Sequence, residues 1–146
     1  MKVTRSVTVN APVDTAFRAF TEEIGRWWPL AEGFAFAGDR YGDMILEGRQ
    51  GGRVYERARD GEEFPIGTVT AFDPPTLVSF TWGEATEEWG APTEVEVHFT
   101  EEGGVTRVDL EHRGFERIGP QAEETRGTYA TGWATVLDRF DRHVAA

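Results

Sequence analysis

The sequence contains no cysteine, and this absence removes several kinds of chemistry at once. Disulfides, thiolate metal ligands and cysteine nucleophiles are excluded, and a reducing compartment is favoured. The three histidines show no His-x-x-x-His spacing, and no Gly-x-Ser-x-Gly elbow is present. The glycines at 48, 51 and 52 are not followed by Lys-Ser/Thr, so they make no phosphate cradle. We therefore predict no metal site, no cofactor and no catalytic motif.

Long apolar runs and an excess of basic charge are also missing. No segment approaches the roughly 20 apolar residues that span a membrane, and the stretch MKVTRSVTVN has no signal-peptide core. We therefore expect a cytoplasmic protein without membrane contact. With 15 Lys and Arg against 26 Asp and Glu, the net charge of -11 repels nucleic acid. The acidic residues are scattered, which indicates a solvated surface; an acidic patch for a basic partner is the alternative.

Aromatic residues, by contrast, are abundant, with five tryptophans and ten phenylalanines among 146 residues. They indicate either a large core or an apolar ligand site. A chain of this length can bury about two-thirds of its unfolded surface around one core. We therefore predict a single domain over residues 1–146.

Short alternating runs rich in β-branched residues predict about seven strands. Turn chemistry separates them, because Asp60-Gly61 and Gly103-Gly104 are typical of hairpins. The stretch FDPPT interrupts another pair, since proline cannot continue a central strand. The predicted runs cover residues 3–10, 44–48, 53–59, 64–72, 76–82, 93–100 and 105–112.

Helical spacing appears in two places. Residues 11–28 carry apolar side chains at helical intervals, with Pro12 at the first helical position and Gly25 ending or bending the helical region. Residues 120–146 form one long helical pattern. The order of strand, short helices, six strands and long helix predicts an α+β domain, in which a curved antiparallel sheet packs on the final helix.

Blocks in this order resemble the activator-of-Hsp90-ATPase-like family. The central block carries a glycine pair, a strand ending in Glu-Arg, a DG turn, Gly-x-Val, Asp-Pro-Pro and Phe-Thr-Trp. The succession of the blocks is specific, rather than any one of them. They read IGRWWPL, GGRVYERARDGEEFPIGTVTAFDPPTLVSFTW, TEVEVHF, GGVTRVDLEHRGF and TYATGWATVL.

The resemblance implies the helix-grip fold of the START-like and Bet v 1-like (SRPBCC) superfamily. In that fold a curved antiparallel sheet wraps a long C-terminal helix, two short helices follow the first strand, and a cavity lies between sheet and helix. The resemblance also implies a range of functions: carriage of lipids or other hydrophobic ligands, polyketide cyclisation, or co-chaperone work.

Residues suited to line such a cavity are mostly aromatic. Phe80 and Trp82 share one face of a strand, and Tyr129 and Trp133 share the helical face that points at the sheet. Ligand pockets are mostly apolar and have few polar anchors. We predict ligand contacts from Trp27, Trp28, Phe34, Phe36, Glu56, Phe80, Trp82, His112, Tyr129, Gly132 and Trp133.

Glu56 and His112 are the predicted polar groups of the cavity. Counting by two from Val108 and Leu110 places His112 on the buried face. There it is either a hydrogen-bonded core residue or a ligand contact that titrates near neutral pH. Glu56 alternates with Val54 and faces inward, unless a local bulge places it at the rim in water. Inside, a raised pKa would make Glu56 an acid–base candidate.

Gly132 interrupts the apolar face of the long helix, beside Tyr129 and Val136. A glycine inside a helix costs about 1 kcal/mol relative to alanine. We predict that Gly132 lies at a bend of the helix or on the cavity wall, where a missing side chain leaves room.

Three functions remain open. The leading hypothesis is non-enzymatic binding of a small hydrophobic ligand, such as a lipid, sterol or aromatic metabolite. One alternative is a co-chaperone-like module that binds a chaperone. Another is a polyketide aromatase or cyclase with His112 or Glu56 as the acid–base group. Trp89 is either a gate or a dimer contact, so both a monomer and a homodimer are considered.

Overall fold

A curved antiparallel sheet and one long helix make up the computed structural model, which describes residues 1–84, 86 and 89–146. The spatial order of the strands is 1-7-6-5-4-3-2, so the first strand lies at one edge and the second at the other. The predicted α+β helix-grip architecture is confirmed. Its elements are β1 (Lys2–Val9), α1 (Val13–Thr21), α2 (Ile24–Trp27), β2 (Tyr41–Leu46), β3 (Arg53–Ala58), β4 (Glu63–Asp73), β5 (Leu77–Trp82), β6 (Thr93–Glu102), β7 (Val105–Arg113) and α3 (Ala122–Ala145).

All seven predicted runs overlap an observed strand, and the largest difference is that β2 begins earlier, at Tyr41. The two predicted hairpin turns are present between β3 and β4 and between β6 and β7. In the second turn Gly103 and Gly104 have φ angles of 63° and 90°. A turn with two positive φ angles matches the twist of the flanking strands and favours glycine at both positions.

The ladder is irregular where β4 changes partner. The first half of β4 pairs with β3 and the second half pairs with β5, with a register irregularity in each pairing. Gly67 lies at the change-over, where an added Cβ would stand 1.7 Å from the carbonyl oxygen of Thr81. Because no side chain fits in that gap, Gly67 lets β5 approach closely while β4 bends.

The helical region after β1 differs from its prediction in two details. Pro12 is the N-cap of α1 rather than its first helical residue. The helix breaks at Glu22 and Glu23, and Gly25 lies inside α2 instead of ending a helix. The reason is tertiary: a Cβ on Gly25 would lie 2.8 Å from the carbonyl oxygen of Met44 on β2. The glycine permits this close approach.

The C-terminal half of α3 packs against an aromatic core. Phe140 packs against Phe20 and Trp27, with ring centroids 5.4 and 5.1 Å apart. Phe20 in turn contacts Phe99 on β6 at 5.8 Å. The four phenylalanines expected from the sequence to serve in packing are all buried here: Phe17, Phe20, Phe99 and Phe140. An open pocket lies mainly against the N-terminal half of the helix.

Candidate functional site

A pocket of about 530 Å³ opens between the N-terminal half of α3 and the irregular segment Gly33–Phe36. The side facing the sheet is formed by Trp28, at the end of α2, and Trp82, at the end of β5. Small-molecule sites commonly have volumes of roughly 300–1,000 Å³. The complete lining is Trp28, Gly33, Phe34, Ala35, Phe36, Trp82, Thr128, Tyr129, Thr131, Gly132, Trp133, Thr135 and Val136.

Three tryptophans, Trp28, Trp82 and Trp133, form an indole cluster along the pocket. The ring centroids are 5.7 Å apart for Trp28–Trp82, 5.8 Å for Trp28–Trp133 and 5.9 Å for Trp82–Trp133. All three side chains are nearly excluded from solvent, so their rings are held by packing on more than one side. The cluster presents a stiff apolar surface to whatever enters the pocket.

Tyr129 supplies the main polar atom of the wall. Its hydroxyl oxygen accepts a hydrogen bond of 2.9 Å from the Trp82 indole Nε1–H. Burial raises the pKa of Tyr129 above its ordinary value, so the phenol stays protonated at neutral pH. No hydrogen bond among residues 1–84, 86 and 89–146 uses the Tyr129 hydroxyl hydrogen. The phenol can therefore act as a donor towards a ligand.

Three threonines on α3, Thr128, Thr131 and Thr135, also line the pocket, and they are absent from the predicted set. Thr128 and Thr131 donate to helix carbonyl oxygens of Glu124 and Gly127, at 3.2 and 3.5 Å. Their hydroxyl oxygens keep lone pairs that can accept a hydrogen bond. Thr128 and Thr135 lie at helical intervals from Gly132. Their spacing in the sequence could therefore have placed them on the same face of the helix as Gly132.

Gly132 lies in the pocket wall, and α3 continues through it. A Cβ added there would meet one atom at contact distance among the described residues, Cε2 of Phe34 at 3.5 Å. Glycine at this position therefore leaves room that a larger side chain would fill. Gly127 is a useful comparison, because a Cβ there meets nothing within 4 Å among the described residues.

His112 lies behind the pocket wall, in a continuous hydrogen-bonded chain. The indole Nε1–H of Trp133 donates to Nδ1 of His112 at 2.9 Å, and Nε2 lies 2.6 Å from Oγ1 of Thr93. An indole N–H can only donate, so Nδ1 must carry no hydrogen and Nε2–H donates to Thr93. The Thr93 hydroxyl in turn donates a hydrogen bond of 3.3 Å to the carbonyl oxygen of Trp82. His112 is thus a neutral core residue.

Burial lowers the pKa of His112 to about 3, because an imidazolium would lose its hydration without gaining a counter-charge. Of the two alternatives predicted for His112, the structure agrees with the hydrogen-bonded core residue, and the lowered pKa disfavours titration near neutral pH. Its ring packs against Phe115 and Tyr129, with centroids 4.5 and 5.0 Å away. These contacts fill the deep interior between sheet and helix, and the open volume lies outside them.

Glu56 is buried on β3, with 1% of its surface exposed, so the alternative of a position at the rim in water is wrong. Its carboxylate accepts backbone N–H bonds from Phe36 at 2.7 Å and Ala37 at 2.8 Å. The buried charge is therefore satisfied by the chain segment that forms one wall of the pocket. Glu56 supports the wall without lining it.

The structure brings seven of the predicted residues together around the pocket: Trp28, Phe34, Phe36, Trp82, Tyr129, Gly132 and Trp133. Trp27, Glu56, Phe80 and His112 lie elsewhere. Trp27 turns into the core and donates from Nε1 to the carbonyl oxygen of Ala19 at 2.7 Å. Phe80 is 1% exposed beneath Trp82. Trp89 packs edge-on against Tyr129, while Ala85, Glu87 and Glu88 of its loop lie outside the described residues.

Two general features bear on the kind of site. Within the described part of the chain, no three His, Cys, Asp or Glu side chains converge to hold a metal ion. The helices of that part include none that is long and apolar enough to cross a membrane.

The helix-grip fold, with its pocket against the C-terminal helix, defines the class of protein as SRPBCC-type. Within this class, residues 10–145 match the family described as "Activator of Hsp90 ATPase homolog 1-like protein". The chain belongs to this family, as the order of its sequence blocks predicted. No curated protein matches the sequence.

Three solved structures are similar to this chain in fold and in sequence. The self-sacrificing resistance protein CalC from Micromonospora echinospora is 31% identical, with a TM-score of 0.68 over 98% of this chain and 93% of that one. The anthrahydroquino-gamma-pyrone synthase Txn09 is 28% identical, with a TM-score of 0.63 over 97% and 95%. An AHSA1-like protein from Aeromonas hydrophila is 25% identical, with a TM-score of 0.65 over 99% and 92%.

Proposed function

We propose that the protein binds a small hydrophobic ligand between α3 and the segment Gly33–Phe36 and does not transform it. The observation that carries the proposal is the pocket of about 530 Å³, whose wall is predominantly aromatic. Among lipids, sterols and aromatic metabolites, a flat aromatic ligand suits this wall best. Offset or edge-to-face contacts with indole rings add roughly 0.5–1.5 kcal/mol each beyond the burial of apolar area.

The polar groups of the wall would orient such a ligand. Tyr129 offers a donor at one side, and Thr128 and Thr131 offer acceptors on the helix. A ligand with one hydrogen-bond acceptor and one donor at separate edges would satisfy both sides. A saturated chain without polar atoms would leave the Tyr129 hydroxyl hydrogen without a partner, which disfavours it.

Cyclisation is the second candidate, because the synthase Txn09 is 28% identical over nearly the full length. An aromatase or cyclase needs an acid–base group at the ligand. His112 is held neutral behind the wall, and Glu56 is occupied by two backbone amides. Tyr129 remains in the wall, but its raised pKa makes it a donor rather than a base. These contacts favour binding over catalysis.

A titration of aromatic ketones and phenols against tryptophan fluorescence tests the proposal, because the indole cluster lines the pocket. We expect saturable quenching by flat two- to four-ring compounds and weaker binding of fatty acids. Gly132→Leu should reduce the affinity at least about tenfold, since the new side chain would occupy the space next to Phe34.

Gly127→Leu is the matched control, because it makes the same replacement in the same helix without reaching the pocket. It should bind as the wild type does. Equal affinity in both variants would contradict the proposed site, and no saturable binding by any compound would contradict the proposed function. Conversion of a bound polyketide analogue, lost in Tyr129→Phe, would favour the cyclase instead.

Partners and location remain predictions. Binding to a chaperone is the co-chaperone hypothesis, and stimulation of the ATPase of an Hsp90-type chaperone is its assay. The family description is what favours this hypothesis. A monomer or homodimer and a cytoplasmic location are likewise expected from the sequence, and sedimentation and cell fractionation would test them.

A further inference from the structure

The pocket wall opposite α3 is a short irregular segment, Gly33–Ala37, and its attachment to the rest of the molecule is sparse. It contributes Phe34 and Phe36 to the pocket, and Phe36 is 50% exposed. Packing alone therefore leaves the outer part of this wall loosely held. Phe34 and Ala35 pack against the core, so the polar contacts of the segment matter most around the exposed Phe36.

Most of these polar contacts are local. The Phe34 amide donates to Pro29 at 3.3 Å, the Gly38 amide donates to Ala35 at 3.1 Å, and Trp28 Nε1 donates to the Phe34 carbonyl oxygen at 3.0 Å. Such contacts shape the segment without fixing it to the sheet. Among the hydrogen bonds of the described residues, those that join the backbone of Gly33–Ala37 to a sheet strand end on Glu56.

Glu56 accepts two bonds from consecutive amides of the segment, those of Phe36 and Ala37, one to each carboxylate oxygen. In the described part of the chain no cation lies within 4 Å of this carboxylate, and the neighbouring Arg53 and Arg57 pair with Glu63 instead. An ionised carboxylate is costly to bury unless hydrogen bonds satisfy it. The carboxylate and the segment therefore stabilise each other.

The geometry points to Glu56 as a positioning residue: its buried carboxylate anchors the Phe36–Ala37 backbone to β3 and thereby holds the aromatic wall of the pocket closed on a ligand. This inference rests on the proposed function for its effect on binding, but the anchoring itself does not depend on any ligand. A ligand that contacts Phe34 and Phe36 leaves more slowly when their backbone is held in place.

Glu56→Gln tests the anchor, because glutamine keeps the size of the side chain but has one acceptor oxygen, and its NH2 group would face an amide donor. Amide hydrogen exchange at Phe36 and Ala37 should accelerate at least about tenfold. Amides of the central strands, such as Val97, should be unaffected. Glu63→Gln, on the adjacent strand and 40% exposed as a side chain, is the matched control.

The binding readout is the dissociation rate of an aromatic ligand such as a naphthol, followed by tryptophan fluorescence. We expect it to rise about tenfold in Glu56→Gln and to stay unchanged in Glu63→Gln. Faster exchange without any ligand binding would sustain the anchor and overturn the proposed function. Binding with unchanged dissociation would overturn the positioning role and leave the proposed function intact.

A measurement on the wild-type protein covers the case in which Glu56→Gln fails to fold. The Phe36 and Ala37 amides should exchange as slowly as sheet amides, although Phe36 is exposed. Exchange at the rate of a free loop would overturn the anchor directly.

Discussion

Replacing His112 by glutamine should change how the stability of the protein depends on pH. The wild-type ring accepts from Trp133 and donates to Thr93, and it does so only when neutral. Glutamine can keep both bonds, because its oxygen accepts from the indole and its NH2 group donates to the hydroxyl. The substitution therefore removes the titration while preserving the chain of hydrogen bonds.

The size of the effect follows from the pKa of His112, which burial lowers from 6.5 to about 3. The unfolded chain binds the proton more readily than the folded protein does. The stability that the neutral ring contributes is therefore complete above the unfolded pKa and declines as the pH falls towards the folded pKa. Each pH unit in that window is worth about 1.4 kcal/mol. From about pH 6.5 to pH 4.5 the loss is about 2 kcal/mol, because the unfolded histidine is only half protonated at the upper limit.

Urea denaturation of both proteins between about pH 7 and pH 4.5 measures this loss. The free energy of unfolding should fall by roughly 2–3 kcal/mol more in the wild type than in His112→Gln. His98 and His143, which pair with Glu96 and Glu23, are present in both proteins, so their contributions cancel in the difference. Parallel curves for the two proteins would refute the assignment of His112 as a neutral, buried ring.

Three further substitutions probe the sheet, the long helix and the pocket wall. Gly67→Ala should lower the free energy of unfolding by about 3 kcal/mol or more, because its Cβ would stand 1.7 Å from the Thr81 carbonyl oxygen. In the same urea assay Gly127→Ala should raise the free energy of unfolding by about 1 kcal/mol, because its Cβ would lie in open space. Tyr129→Phe should lower the free energy of unfolding by roughly 1–3 kcal/mol, since it leaves the buried Trp82 Nε1–H without an acceptor. Unchanged stability in Tyr129→Phe would contradict that hydrogen bond.

Local patterns in the sequence were sufficient for most of the fold. Alternation along a strand placed His112 inside from the neighbouring Val108 and Leu110, and the exposed fraction of His112 is 0%. The glycine turns predicted the hairpins because positive φ angles are a property of single residues. Gly25 shows where local reasoning fails: it was predicted to end or bend the helical region, but it lies inside α2 and permits a close approach to Met44 on β2.

In the candidate site, too, local sequence patterns predicted some features and tertiary contacts decided others. Trp27 and Trp28 are adjacent and were indistinguishable by composition, yet one packs against Phe140 in the core and the other lines the pocket. Which of the two faces the pocket depends on where α2 ends and on how its end packs against α3. No pattern within the segment carries that information.

Periodicity and turn chemistry were enough to predict the strands, the gripped helix and its aromatic inner face, because each of these depends on residues close together in the chain. The net charge was enough to predict electrostatic repulsion of nucleic acid, because it is a sum over all residues. The filled space around His112, the partners of the Glu56 carboxylate and the displacement of the pocket towards Gly33–Phe36 depended on tertiary structure. Each of these features joins residues about twenty or more positions apart, and such contacts exist only after the sheet has closed on α3.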